Sequence, residues 1–330
     1  MIEREGVWMS KEQYIYAVAR VRSKELALLD KPVLEQLLSC KTYEDCLKIL
    51  TDKGWGEHSG ESAEEILTQE REKTWTFIRE LVTDMSVFDT FLYEKDFHNL
   101  KAAIKQVYVR NEVPNIFIND GTVDKELIFE AVKNHDFTNL PDHMQTAAEE
   151  AYQMQMRNGD GQLCDIILDR AALDTVYKKA GESGNELLME YAELRVVTAN
   201  LNCAIRGAKT GKRIEFFEMA LAQCQTLDKK ELVKAALTGV EAIYDYLSTT
   251  VYDDAVFALK ESFSTFERWC DNLIINRIKP QKYNTISVSP LAAYILAREN
   301  EIKTVRILLS GKLNELPENS IRERLRDMYV

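Results

Sequence analysis

Proline and glycine are scarce in this chain, at 6 and 13 of 330 residues. So few backbone breakers argue against a turn-rich sheet protein and for long helices. The six cysteines (Cys40, Cys46, Cys164, Cys203, Cys224, Cys270) form no C-x-x-C pair, which excludes the common zinc-ribbon and dithiol-redox spacings. Residues 1–10 are charged and hold no apolar segment, so no secretory leader is expected and the cysteines read as reduced thiols, mostly buried. No apolar run approaches the ~18 residues that a membrane-spanning helix needs. Positive charge is short as well. Lys+Arg 42 against Asp+Glu 54 leaves −12, and a chain that acidic lacks the basic face that general nucleic-acid binding requires.

What remains is an ordinary globular composition, 45% hydrophobic, which excludes wholesale disorder. The length allows two or three domain-sized cores. The charge is uneven: residues 268–330 carry 11 basic and 7 acidic groups, so this segment is +4 and the rest −16. Within it Arg277, Lys279 and Lys282 cluster where a helix breaks at Pro280. Cations there oppose the helix macrodipole, so they either complement their own helix end or meet a partner surface.

Three stretches resemble one another at a fixed interval. Asn99-Leu100-Lys101-Ala102-Ala103-Ile104-Lys105, Asn200-Leu201-Asn202-Cys203-Ala204-Ile205-Arg206 and Glu301-Ile302-Lys303-Thr304-Val305-Arg306-Ile307 begin 101 residues apart. Leu100, Ala103 and Ile104 share one helix face, as do Leu201, Ala204 and Ile205. The third copy keeps Ile302, Val305 and Leu309 but has Arg306 where the others have isoleucine. Residues 126–132, 231–237 and 33–38 form a second matching set. A period near one hundred is too long for a solenoid unit of ~20–50 residues and suits tandem helical domains.

Helices are expected at about 10–29, 33–38, 43–50, 61–82, 88–109, 185–208 and 252–278. Ser10 and Gln13 have capping-box spacing, Asp30-Lys31-Pro32 stops the first helix, and Pro290 and Pro317 sit at first turns. Thr285 to Val288 is the one short strand-like run. The polar faces of 61–82 read as solvated surface, and the fold class is all-α.

The familiar chemical motifs fail on inspection. Gly207-Ala208-Lys209-Thr210-Gly211-Lys212-Arg213 is one residue short of a phosphate-binding loop and has Arg213 where a magnesium-binding Ser/Thr belongs. Asp253 and Asp254 lack the third aspartate of an isoprenoid-synthase metal motif and read as a helix N-terminus. Among His58, His98, His135 and His143 there is no HExxH. Glu94 and His98, one turn apart, read as a surface hydrogen bond. No catalytic residue, cofactor or metal site is expected, although a helical isoprenoid-synthase-like enzyme and a general helical repeat adaptor remain alternatives.

Three segments carry a family resemblance: Tyr14 to Glu25, Tyr93 to Lys101, and Pro290 to Arg306 leading to the terminal Arg322-Glu323-Arg324-Leu325-Arg326-Asp327-Met328-Tyr329-Val330. They resemble the C subunits of bacterial and archaeal V-type (A-type) ATPases, the counterparts of the eukaryotic d subunit. The resemblance implies a funnel-shaped, all-helical protein of three similar domains with pseudo-threefold symmetry. It implies a non-catalytic rotor component on the cytoplasmic face of the membrane, joining the D and F subunits of the central shaft to the proteolipid rotor ring; from the acidic balance and the missing motifs, the isolated chain is expected to be monomeric. Domain-sized copies are expected at 56–144, 145–250 and 251–330, with 1–55 a partial repeat that packs beside the last. Asp96, Asn99 and Lys101 are then scaffold positions, and Arg277, Lys279 and Lys282 the candidate partner-binding residues.

Overall fold

The computed structural model describes residues 11–57, 60–110 and 114–330, so Ser10 and His58 lie outside the described residues. In chain order the helices are α1 (Lys11–Glu25), α2 (Lys31–Ser39), α3 (Tyr43–Asp52), α4 (Ala63–Leu81), α5 (Tyr93–Val109), α6 (Lys125–Asn134), α7 (Asp142–Asn158) and α8 (Gly161–Ser183). They continue as α9 (Glu186–Lys209), α10 (Ile214–Ala220), α11 (Lys229–Thr238), α12 (Val240–Leu247), α13 (Asp253–Glu261), α14 (Phe263–Ile278), α15 (Ser289–Leu313) and α16 (Glu318–Arg322). Short 3-10 turns, Ser86–Phe91 and Lys279–Tyr283, precede α5 and follow α14. There is no strand among the described residues, including Thr285 to Val288, and the fold is all-α.

The boundaries follow local chemistry. Asp30, Thr42, Ser62, Asp124, Asp160, Asn185, Asp228 and Ser262 each cap a helix by accepting an N–H of its first turn, satisfying donors that no intrahelical carbonyl can reach. Two expected helices are shorter than the apolar pattern suggested. The first ends at Glu25, because the Leu29 N–H is bonded to the Glu301 carboxylate. The expected helix 252–278 is two helices, broken at Ser262, whose extended backbone lets its hydroxyl accept the Thr265 N–H at 3.0 Å.

The chain divides into two compact units, Met1–Met85 with Phe257–Val330, and Ser86–Val256. In the first, all residues from Leu291 to Arg298 on α15 are buried. A helix apolar on every side belongs inside a core. Ile302, Val305, Leu308 and Leu309 of α15 form one cluster with Leu34, Leu37 and Leu38 of α2, Cys46 and Leu50 of α3, and Ile321 of α16. The two short N-terminal helices therefore pack against the last long helix. In the second unit Leu100, Ala103 and Ile104 of α5 are buried with Ile128 and Val132 of α6, Met144 and Ala148 of α7, and Leu168 of α8.

The repeat positions do the same mechanical work. The Asn99 amide donates to the Ile118 carbonyl at 2.9 Å and accepts the Ile118 N–H at 2.8 Å. Asn200 treats Ala222 identically, at 2.8 and 2.9 Å. Such a side chain pairs with one loop peptide as a neighbouring strand would, leaving no buried backbone group unpaired. Position 301 completes the series: Glu301 accepts the Leu29 N–H. Although the third copy lacks the asparagine, its glutamate also holds a loop, through a single N–H. Arg298, one turn earlier, donates to Glu301, to Glu70 at 2.6 Å and to Thr74 at 3.2 Å, and lies over the Trp55 ring at 5.1 Å. Glu70 is thus buried, not solvated as its helix pattern suggested. Burial works against the Arg298 charge, yet Glu301 and Glu70 beside it hold the guanidinium above its usual pKa.

Candidate partner interface

The basic cluster sits at the end of α14. Arg277 is exposed in its last turn. Lys279 donates to Asn276 Oδ1 at 3.2 Å, and Pro280, which has no N–H to give, starts the 3-10 turn. Lys282 lays its ammonium 4.7 Å from the Tyr329 ring centroid. Burial lowers the Lys282 pKa, with Lys279 and Arg22 adding repulsion and Glu25 opposing them. The Arg22 guanidinium, held by Glu25 at 2.6 Å, donates to the carbonyls of Gln281 and Asn284 at 2.5 and 3.0 Å. The segment is therefore pinned from α1, and it presents Tyr283 at 88% exposure beside the lysines. An exposed aromatic thus stands beside the three cations at the end of α14.

The other cations of residues 268–330 are largely used within their own unit. Lys303 and Arg326 meet Asp271 at 2.6 and 2.8 Å, Arg306 meets Glu64 at 2.8 Å, and Arg322 meets Glu35 at 2.5 Å. Lys312 donates to the carbonyls of Leu38 and Cys40. Arg306, Arg322 and Lys312 thus reach the N-terminal helices, while Lys303 and Arg326 are paired within the C-terminal segment itself.

Sequence reasoning did not anticipate a cleft of about 860 Å³ in the second unit. Its rim holds the pairs Glu94–Arg195 at 2.7 Å and Lys101–Asp169 at 2.5 Å. Phe97, Leu173 and Phe216 line its apolar part. Glu94 and Arg195 occupy equivalent repeat positions, 101 residues apart. The expected Glu94–His98 bond gives way to that pair, and His98 reaches the Ile116 carbonyl at 3.1 Å. Burial raises the Glu94 carboxyl, but the adjacent guanidinium outweighs it and its pKa lies below the usual value. Burial also pushes the Cys203 thiol up to about 11, so the cleft offers no ready thiolate at neutral pH.

The decoy motifs resolve as scaffold. Gly207 lies inside α9, where an added Cβ would stand 2.4 Å from Phe217 Cε1. Lys212 donates to Gln162 at 2.8 Å. Asp253 accepts the Asp254 N–H at 3.0 Å in the first turn of α13. No group of three His, Cys, Asp or Glu side chains suited to a metal occurs among the described residues. No helix of the described residues is long and apolar enough to cross a membrane.

An all-α chain with repeated loop-holding positions, a pinned basic turn and a charge-rimmed groove has the makings of one component of a larger assembly. The family model for the ATP synthase (C/AC39) subunit matches residues 17–324. The chain belongs to that family of rotary ATPase subunits. It is 22% identical over 318 residues to the C subunit of the V-type sodium ATPase of Enterococcus hirae, covering 94% of this chain and 97% of that protein. It is 24% identical over 361 residues to the C subunit of the A-type ATP synthase of Methanocaldococcus jannaschii, covering 97% and 89%.

Proposed function

We propose that this chain is a non-catalytic coupler in the rotor of a V-type or A-type ATPase. It receives the foot of the central shaft, built from the D and F subunits, and passes torque to the proteolipid ring from the cytoplasmic face of the membrane. The family match across residues 17–324 carries this reading. Supporting it, three equivalent positions, Asn99, Asn200 and Glu301, each tie a loop to a long helix. In this reading the copies run 56–144, 145–250 and 251–330, with 1–55 completing the last, and one such tie falls in each, while α4 packs in the compact unit that holds the last copy. A coupler must resist shear, and polar contacts within packed helices do that without requiring a fluid apolar interface.

Arg277, Lys279 and Lys282 are the partner-binding residues in this reading. The decisive experiment reconstitutes the purified chain with shaft and ring and asks whether it bridges them. Charge reversal at all three positions should weaken assembly strongly at low ionic strength and little at high, with helical content unchanged, because exposed charges act over a salt-screened range. Equal assembly by parent and variant at low salt removes these residues from the interface. Failure of the parent chain to bridge shaft and ring overturns the coupler itself.

A further inference from the structure

Beside the buried charges of the first unit lies a pocket of about 170 Å³. Its lining carries four cations, Lys24, Lys53, Lys73 and Arg298, against one carboxylate, Glu70. Glu301, fully buried, is bonded to Arg298. Counting it as well, the pocket keeps a positive excess, in a chain whose net charge is −12. Two of the cations are committed. Arg298 is bonded to Glu301, Glu70 and Thr74. Lys73 donates to Glu70 and to the Gly56 carbonyl, both at 2.8 Å.

The other two are not. Lys24 and Lys53 are exposed, and neither has a carboxylate partner among the described residues; the Lys24 ammonium lies 5.5 Å from the Phe77 ring centroid. The wall supplies a further donor. Tyr294 is 5% exposed with its ring edge-on to Phe77, and its hydroxyl has no hydrogen-bond partner among the described residues. Burial pushes this phenol up to about 12, so it stays a neutral O–H donor at physiological pH.

We propose that this pocket binds a small oxyanion of the phosphate type, with the Lys24 and Lys53 ammonium groups and the Tyr294 hydroxyl as donors beside the charge-balanced cluster of Arg298, Lys73, Glu70 and Glu301. The pocket is small beside the cleft of the second unit, about 170 Å³ against about 860 Å³. One tetrahedral group with a few waters fits. Phosphate also matches the chemistry better than a carboxylate does. Its oxygens can accept from several convergent donors at once, and its charge is about −1.5 to −2 near neutral pH. Orthophosphate itself and the terminal phosphate of a monoester share this chemistry. The site stands apart from the coupler reading and does not depend on it.

The test uses the full chain and inorganic phosphate at constant ionic strength, read by phosphorus-31 line broadening and by thermal melting. Phosphate should broaden saturably and raise the melting temperature, where chloride at equal ionic strength does neither. The K24A/K53A double variant, altered only at exposed side chains, should keep its helical content and lose affinity by at least about tenfold. Tyr294→Phe should weaken binding by less, leaving the charges in place. Glycerol 3-phosphate separates the sources: competition assigns a monoester, and its exclusion assigns the free ion. No saturable binding, equal affinity in parent and double variant, or binding of an acidic peptide but not phosphate overturns the proposal.

Discussion

In the second unit Asn99 and Asn200 grip loop residues 19 and 22 positions away, each through both backbone groups. In the first unit Glu301 grips a single N–H, that of Leu29, 272 positions away. An amide both donates and accepts, so it pairs with a whole peptide and carries no charge. A carboxylate can only accept, and buried it needs a counter-ion. Arg298 supplies one, and Arg298 in turn draws in Glu70. The local loops are thus closed by a self-contained neutral device. The long-range closure is made by a charged one on α15 that commits two further elements, α1's trailing turn and α4, to a single geometry.

The comparison breaks or sharpens most clearly at Arg298. Replacing it by methionine leaves Glu301 and part of Glu70 buried without a guanidinium, and should cost about 3–5 kcal/mol in denaturant unfolding. The triple variant R298M/E301Q/E70Q removes the charges together and should lose much less. A single variant costing under about 1 kcal/mol would show that the charged closure is dispensable.

Next comes the neutral device. Asn200→Ala strands the N–H and C=O of Ala222, which is fully buried, and should cost about 2–4 kcal/mol. Asn99→Ala should cost about 1 kcal/mol, since Ile118 is 39% exposed and water can replace the lost bonds. Equal losses at the two sites, by melting or by hydrogen exchange of the loops, would contradict this account of burial.

The smallest effect is expected at Arg306, where the third repeat departs from isoleucine. Its pair with Glu64 lies at the surface, with side chains 43% and 69% exposed. Arg306→Ala should change stability by less than about 1 kcal/mol. A larger loss would mean that this pair fastens α4 to α15 in a way its exposure does not suggest.

Much of the fold is legible in the sequence because it rests on local rules. The apolar faces at Leu100, Ala103 and Ile104 and at Leu201, Ala204 and Ile205 are buried as their periodicity requires. Asp30 and Pro32 start α2 where a stop was read. The packing of α2 and α3 against α15 was also accessible, through the repeat spacing alone. What sequence reading missed depends on partners distant in the chain. Glu70 looked solvated because its partner, Arg298, is 228 residues away. The break at Ser262 was hidden by apolar residues on both sides of it. Of the candidate interface, Arg277, Lys279 and Lys282 were visible as a cluster of like charge. Their anchoring by Arg22 and Tyr329 was not, since neither is a sequence neighbour.

The bond from Leu29 to Glu301 also sets an order in time. On the ribosome α2 emerges early, and the α15 residues that cover Leu34, Leu37 and Leu38 follow some 260 residues later. At about 5–20 residues per second, translation leaves that apolar face uncovered for roughly 13–50 s. During this interval the second unit has its partners in hand, since Asn99 and Asn200 close loops a few seconds old. The first unit must wait for the last helix. Its N-terminal helices are therefore the stretch of nascent chain most in need of a chaperone, and the stretch most exposed to protease when synthesis stalls.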